Sequence, residues 1–348
     1  METITHDKTP DTHSSIVGGS SASRILGCPG SVDLLAQIPD AVLRESSTYA
    51  DEGTGLHEIM AYLVDNDVDP NTILTDPKVD ELWAQYKLDD ARMWDAVIPA
   101  YNAFLKYIDT LYGDDENAEL RIRVESRVEM PGIDGAFGTC DVLIRAPSKT
   151  VVWDWKFGQG VPVLASYKVK KDVGQDAPGA DPETGYRTDE YGNDQLMFYA
   201  RAAMNTYPEY FVGGSDPVLN WPVELVICQP RILEEELSTF TTTVDALEDF
   251  RADLVDAVKE ALSGNGHKAK GSYCRFAKCK SICPLHLNGP VAMAEIGEKL
   301  NQLRLHAAAN TDPHAEGVPA ATGSIEYADA LAMMLDLGEV EHHGEGVG

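Results

Sequence analysis

The stretch VVWDWKFGQG, residues 151–160, has the branched and aromatic side chains of a buried β-strand, yet it carries two charges, Asp154 and Lys156. Because side chains alternate along a strand, these two charged residues share one face of it. Burying an aspartate and a lysine costs free energy unless a bound group compensates the charges. The pair therefore indicates a binding site on a buried strand. The alternative is an ion pair on the solvated face of an edge strand.

The sequence on either side of this strand predicts an α/β or α+β fold with one mixed sheet. Two segments before it, ELRIRVESRVEM at 119–130 and GAFGTCDVLIRA at 135–146, continue the strand pattern. The three strands are expected to be adjacent and antiparallel. Helical patterns occupy 78–112 and 194–207, and PVELVICQP at 222–230 predicts another buried strand.

The remaining segments set the predicted domain boundaries. Residues 158–193 contain several glycines and polar residues and predict a long loop. Polar residues 1–20 are predicted to be disordered, and 307–348 are predicted to be a flexible acidic tail. A single domain is expected over 21–306, with a helical N-terminal part and a cysteine segment at 274–286.

Charge and hydropathy limit the classes of function. The chain has 348 residues and a net charge of −29, which disfavours a generally basic nucleic-acid-binding surface. Divalent metals and a local basic patch could still bring it to DNA, and SYKVKK at 166–171 offers such a patch. No apolar run approaches the roughly 18 residues of a membrane span, and the first residues lack the pattern of a signal peptide. We therefore expect a cytoplasmic protein with no membrane partner.

Several polar side chains could act with the Asp154–Lys156 pair. Asp141 begins the preceding strand, and two carboxylates on neighbouring strands can hold Mg²⁺ or Mn²⁺. A strand-end turn cap is the alternative for Asp141. His57 follows a Gly-rich helix start and could bind the same metal, or be an ordinary surface or core histidine.

Gln195 and Tyr199 lie four residues apart on a predicted helix and hence on one face of it. The glutamine could hold the lysine or the DNA backbone, with the tyrosine lining the cleft. Simple helix packing is the alternative for both residues.

The six cysteines fall into two groups. Cys140 and Cys228 lie in apolar strands and are predicted to be core residues. The other group comprises three cysteines within ten residues and one early cysteine that could join them: Cys274, Cys279, Cys283 and Cys28. Such a thiolate set suits Zn²⁺ or an iron–sulfur cluster.

In chain order the motifs are Cys28, Gly53-x-x-x-His57, Gly138-x-x-Asp141, Asp154-Trp-Lys156, Gln195-x-x-x-Tyr199 and the three late cysteines. This ordered set, over about residues 21–286, resembles the PD-(D/E)XK nucleases of the RecB-like type. It is most similar to their iron–sulfur exonucleases, which include AddB, the CRISPR-associated RecB-like exonucleases and versions carried by phages. The resemblance implies a restriction-endonuclease-like mixed sheet flanked by helices. It also implies a four-cysteine iron–sulfur or zinc site that joins the N- and C-terminal parts.

The resemblance also implies a role for each matching residue. The catalytic Mg²⁺ or Mn²⁺ would be bound by His57, Asp141, Asp154 and the carbonyl of Trp155. Lys156 would be the catalytic lysine, and Gln195 and Tyr199 would form the helix motif that follows the catalytic strands. A [4Fe–4S] cluster, with Zn²⁺ as the alternative, would be held by Cys28, Cys274, Cys279 and Cys283. The related proteins space the last three cysteines as C-x2-C-x5-C, whereas this chain has C-x4-C-x3-C.

The implied activity is a metal-dependent DNA exonuclease that hydrolyses phosphodiester bonds in single-stranded DNA or at DNA ends. It would serve recombination, replication or repair, in the host cytoplasm if a phage encodes it, and it allows a helicase or recombinase partner. Two alternatives remain at this point: an inactive nuclease fold that only binds DNA ends, and a zinc-stabilised interaction protein whose Asp-x-Lys pair is incidental.

Overall fold

The computed structural model describes residues 16–44, 48–112, 119–175, 177–211, 220–233, 236–287 and 292–311. Its seven strands are β1 Arg121–Glu129, β2 Phe137–Arg145, β3 Thr150–Trp155, β4 Ser166–Asp172, β5 Tyr186–Gly192, β6 Pro222–Cys228 and β7 Leu237–Thr243. Five of them form one mixed sheet in the order β1-β2-β3-β6-β7. The β1–β2 and β2–β3 pairs are antiparallel, as predicted, while β6 runs parallel to β3 and antiparallel to β7.

The helices of the described residues are α1 Ala22–Gly27, α2 Ser31–Leu35, α3 Asp40–Arg44, α4 Thr48–Asp65, α5 Pro77–Tyr86, α6 Ile98–Tyr112, α7 Asp194–Thr206, α8 Val244–Leu262 and α9 Ala292–Thr311. One π-helical turn, Met93–Val97, leads into α6. Helices therefore flank the mixed sheet, in agreement with the predicted α/β class. None of these helices is long and apolar enough to cross a membrane.

The central strand β3 is buried along its whole length. On one face the rings of Trp153 and Trp155 pack against Phe104 of α6, with ring centroids 5.3 and 5.7 Å from the phenylalanine. Because side chains alternate, Asp154 points to the opposite face, which α7 covers. The aromatic packing on one face thus fixes the register that puts the aspartate under α7 on the other.

Two strand regions differ from the sequence prediction. The prediction of a long loop at 158–193 is wrong in part, because β4 and β5 form an antiparallel hairpin within these residues. Strand β7 was not predicted and occupies the sheet edge beside β6. Nearly every residue of these three strands is exposed or half-buried, so the strands lack the apolar alternation by which a strand is recognised, and main-chain pairing stabilises them instead.

The chain divides into two compact units, the first made of residues 1–26 and 48–259, the second of 27–47 and 260–348. The first contains the mixed sheet. In the second, α2, α3, α9 and the cysteine segment share an apolar cluster that includes Leu34, Ile282 and Leu303. The single-domain prediction for 21–306 stays a prediction. Residues 1–15 of the predicted disordered N-terminus lie outside the described residues. Of the predicted tail, residues 312–348 lie outside them, and the part up to Thr311 belongs to α9.

Candidate functional site

Asp154 and Lys156 meet in the structure at the end of β3. The aspartate is 1% exposed, and the lysine Nζ lies 2.6 Å from its Oδ2. The same Nζ donates a hydrogen bond to Oε1 of Gln195 at 3.1 Å. The ammonium is the partner of this buried Oδ2 among the described residues, and the carboxylate keeps lone pairs that could also bind a divalent cation.

Asp141 of β2 lies on the same face and is held from two sides. Its Oδ2 accepts a hydrogen bond from the backbone N–H of Trp155 at 2.7 Å and lies 3.3 Å from Nδ1 of His57. The carboxylate is 7% exposed. The structure therefore brings together the two predicted carboxylates and the predicted histidine. Trp155 contacts Asp141 through its N–H group, and the predicted role of its carbonyl stays a prediction.

Helix α7 brings the glutamine and the tyrosine to the same place. The side chain of Asn193 accepts hydrogen bonds from the N–H groups of Gln195 and Leu196, which caps the helix where the site begins. Nε2 of Gln195 then donates to Oδ1 of Asp154 at 3.2 Å and to the hydroxyl of Tyr199 at 3.0 Å. The glutamine therefore bridges Asp154, Lys156 and Tyr199.

Helix α4 positions His57, and one glycine of its Gly-rich start allows the helix to pack closely. A Cβ at Gly53 would meet nothing within 4 Å, whereas one at Gly55 would lie 2.6 Å from the Cβ of Tyr86. The close approach of α4 to α5 is thus made at Gly55. The His57 ring is further oriented by an edge contact with Phe157, at a centroid distance of 5.3 Å.

Glu125 was missed by the sequence analysis. It lies opposite Asp141 in the β1–β2 register, and ligand atoms of Glu125, Asp141 and His57 all lie within 4.8 Å of one another. Its φ of 45° is in the left-handed region, which is unusual for a glutamate within a strand. In the sequence Glu125 is one more charged residue on a half-exposed strand. Only its position opposite Asp141 identifies it as a possible metal ligand.

Electrostatics distinguish the acidic groups. Burial raises the pKa of Asp154 to about 6, with Lys156 opposing the shift and Asp141 adding to it. Burial also acts against the charged forms of Asp141 and His57, but their mutual attraction outweighs it. The pKa of Asp141 is therefore lowered and that of His57 is raised. The His57 ring nitrogen could bind a metal at this site only after that nitrogen has lost its proton.

The cysteines predicted as cluster ligands all fall in the second unit. Cys28, Cys279 and Cys283 are buried and Cys274 is partly exposed, all as free thiols. The hydroxyl of Tyr273 donates to the carbonyl of Gly27 at 2.8 Å, which ties the segment next to Cys28 to the segment next to Cys274. Among the described residues, however, no three thiols lie as close together as the His57–Glu125–Asp141 group.

The two cysteines predicted as core residues are both confirmed. Cys140 and Cys228 are fully buried, and burial raises the pKa of both thiols.

A carboxylate-rich pocket with one lysine can bind a hard divalent cation and a phosphate group together. The donor set of Asp141, Asp154, Glu125 and His57 fits Mg²⁺ or Mn²⁺ better than a soft metal, because oxygen ligands predominate.

Comparison with known proteins places the chain in a family. The model of the family described as "Protein of unknown function (DUF2800)" matches residues 13–326, so the chain belongs to DUF2800. A solved structure titled "Crystal structure of SSO0001" is similar at 13% identity, over 80% of this chain and 91% of that one, with a TM-score of 0.30. A likeness of that size carries no argument about the fold or the activity.

Proposed function

We propose that this DUF2800 protein is a metal-dependent DNA exonuclease of the PD-(D/E)XK type, acting on single-stranded DNA or DNA ends. The observation that carries the proposal is the convergence of four side chains under α7: Lys156 and Gln195 contact Asp154 and each other, and Asp141 on the neighbouring strand is close enough to Lys156 for their charges to interact. Structural ion pairs alone do not require two buried carboxylates to face one lysine. We assign the mixed sheet to the restriction-endonuclease-like class on the same basis.

The metal ligands in this proposal are Asp141, Asp154, Glu125 and His57. When bound, Mg²⁺ or Mn²⁺ would polarise the scissile phosphate and lower the pKa of an attacking water. The Trp155 N–H and His57 both hold Oδ2 of Asp141, which limits the orientations open to that carboxylate. The ligand set is thereby fixed before the substrate arrives.

Lys156 is the group that would contact the substrate. Its ammonium lies between Asp154 and Gln195, so it has two acceptors and one hydrogen free to orient water or to neutralise charge that develops on the phosphate. Gln195 holds both the lysine and Asp154, and Tyr199 holds the glutamine. We therefore treat Gln195 and Tyr199 as positioning residues.

We also propose that Cys28, Cys274, Cys279 and Cys283 hold a [4Fe–4S] cluster. The support is that all four cysteines of the ordered motif set are free thiols in one unit and that three of them are buried. The cluster would then close the second unit and take no part in hydrolysis.

The test is degradation of 5′- and 3′-labelled single-stranded DNA by anaerobically purified protein in Mg²⁺, Mn²⁺ or EDTA. We expect digestion that depends on the divalent metal and is lost in Asp154→Ala. The matched control is Asp253→Ala, which removes an exposed carboxylate from α8 and should digest like the wild type. DNA binding without digestion in any of these metals would instead favour an inactive DNA-end-binding protein.

A further inference from the structure

Residues 261–294 differ from the rest of the chain in charge. About one residue in six is acidic over the whole sequence, yet this stretch contains no Asp or Glu and has five Lys or Arg. It includes the cysteine segment and belongs to the second unit. A stretch of this kind in a chain with net charge −29 indicates a local surface for an anionic partner.

Four of the five cations are available to such a partner. Lys278 is not, because its Nζ donates to the carbonyls of Val42 and Leu43 at the end of α3. The side chains of the other four make no ion pair or hydrogen bond within the described part of the chain; they are Lys268, Lys270, Arg275 and Lys280. Charges that stabilise nothing in the fold are free to bind phosphates.

The four cations sit on a fixed backbone. Gly30 and the 266–267 segment are in main-chain contact, with the Gly30 N–H donating to the carbonyl of His267 at 2.9 Å. The Tyr273 hydroxyl donates to Gly27 and Ala269. Lys270 and Lys280 both lower the pKa of His286, after the larger effect of its burial, so the charges of both ammonium groups act on one imidazole.

An exposed aromatic ring lies beside one of these cations. Phe276 is 78% exposed, the most exposed of the large apolar side chains described, and the guanidinium of Arg275 lies 5.6 Å from its ring centroid. A ring exposed to this degree contributes little to the core. Cations beside an exposed aromatic ring are typical of surfaces that hold a nucleic-acid strand by its phosphates and by stacking on an unpaired base.

We propose that Lys268, Lys270, Arg275, Phe276 and Lys280 form a binding surface for single-stranded DNA, separate in its residues from the hydrolytic site. The inference rests on the proposed function only in taking the anionic partner to be DNA. Phe276 favours a nucleic acid over an acidic peptide, because a peptide carboxylate gains nothing from a stacking platform. It favours a single strand over a duplex, because paired bases do not offer their faces.

The experiment measures the Kd of full-length protein for a labelled 30-nucleotide single strand and for the matching duplex, in EDTA to prevent turnover. The test variant is Lys270→Glu/Arg275→Glu. The control variant is Lys78→Glu/Lys259→Glu, which makes the same change in net charge at two exposed lysines of the first unit. A third variant, Phe276→Ala, tests stacking without a change of charge.

We expect the test variant to weaken single-strand binding by at least about tenfold and the control by less than about twofold. The slope of log Kd against log salt should become shallower by about 1.4, for two lost phosphate contacts. Phe276→Ala should weaken single-strand binding by about fivefold or more with its salt slope unchanged, and duplex binding little. Equal Kd values for test and control variants would overturn the proposal.

Two further measurements separate the possible failures. Hydrolysis of thymidine 5′-(p-nitrophenyl) phosphate should be unchanged in the test variant, because that substrate is too small to need a second surface. If the wild type hydrolyses nothing while the test variant still loses single-strand binding, the surface stands and the proposed nuclease does not. A peptide of residues 312–348 is the second probe. If the wild type binds this peptide but not DNA, and the test variant no longer binds the peptide, the surface binds an acidic segment and the proposal is overturned.

Discussion

Asp154 combines near-complete burial with a neighbouring lysine and a neighbouring aspartate. Burial disfavours the ionised form of Asp154 and raises its pKa to about 6, so the ionised side chain lowers the stability of the folded protein. A group with a raised folded-state pKa stabilises the fold at low pH and loses that stabilisation as the pH rises through the folded value. This residue is therefore explained by what it binds rather than by stability.

Asp154→Asn separates the two roles. Asparagine keeps the size of the side chain and an oxygen that can accept from Gln195, but it removes the buried charge and a metal ligand. We expect hydrolysis to fall by about 100-fold or more, while the free energy of unfolding in EDTA at pH 8 stays equal to that of the wild type or rises. The stability difference in favour of the variant should grow as the pH rises from about 4 through 6. Chemical denaturation across this range measures it, and a variant that is less stable at pH 8 would show that Asp154 is a structural ion-pair member.

At the scale of the elements, the face of the sheet under α7 depends on small residues. The ring of Tyr199 passes between Gly19 and Gly138, where an added Cβ would lie 2.4 and 2.7 Å from its Cε1. The ring is 8% exposed and has little room to move. Gly138 therefore allows α7 to lie close enough to β2 for Gln195 to reach Asp154.

Gly138→Ala should push the Tyr199 ring away and cost about 1–3 kcal/mol of unfolding free energy. Combining it with Tyr199→Ala should give much less than the sum of the two single effects, because both act on one contact. Gly53→Ala is the matched control: it adds a methyl group to a helix with nothing nearby and should stabilise by up to about 1 kcal/mol. Additive effects in the double variant would rule out the proposed contact.

A second element-scale feature is an ionic network beside the site. The guanidinium of Arg231 is 5% exposed; its Nη1 donates to the carbonyl of Phe157 at 2.8 Å and to Glu52 at 3.0 Å, and its Nε lies 3.5 Å from Asp95. The network thus joins α4, the π-helical turn and the residue that follows Lys156. Arg231 holds the chain in place immediately beyond Lys156.

Arg231→Met should cost about 2–3 kcal/mol of unfolding free energy, since it leaves Glu52 and Asp95 with Arg92 as their remaining cation in the network. The cost is moderate because both carboxylates are partly exposed. Arg187→Met, in the exposed β4–β5 hairpin, removes the ion pair with Asp189 at the surface and should lower the free energy of unfolding much less than Arg231→Met does. Urea denaturation compares them, and equal losses would mean that the network adds nothing beyond a surface pair.

The sequence predicts this site better than its surroundings, for physical reasons. Asp154, Lys156 and Gln195 could be found because strand and helix periods assign side chains to faces. Glu125 could not be found, because its role depends on the β1–β2 register and on an unusual backbone angle. The β4–β5 hairpin was missed because exposed strands lack the apolar alternation on which the prediction depends.

At the scale of the whole molecule, charge is unevenly divided. The longest stretch without an acidic residue, 261–294, lies in the unit that also contains the four proposed cluster ligands. If the cluster holds that unit together, its loss should disorder the cationic surface as well. Hydrolysis of a small substrate at the sheet should be affected much less.

Cys28→Ser tests the cluster directly. We expect anaerobically purified variant protein to lose most of its bound iron and to melt at a lower temperature than the wild type, because a cross-link between distant chain segments is removed. Cys228→Ser is the control, since it alters a buried core cysteine and should keep the iron-to-protein ratio. Full iron in Cys28→Ser, or zinc without iron in the wild type, would contradict the cluster assignment.

The most direct test of the central claim is Lys156→Ala, assayed for Mn²⁺ binding by calorimetry and for single-turnover digestion of labelled single-stranded DNA. Lys149→Ala, which removes the partner of Glu224 from the other end of β3, is the control. We expect Lys156→Ala to bind Mn²⁺ and DNA but to digest DNA at least about 1000-fold more slowly than the wild type, while Lys149→Ala digests normally. Digestion by Lys156→Ala at the wild-type rate would contradict the claim that the Asp154–Lys156 pair is catalytic.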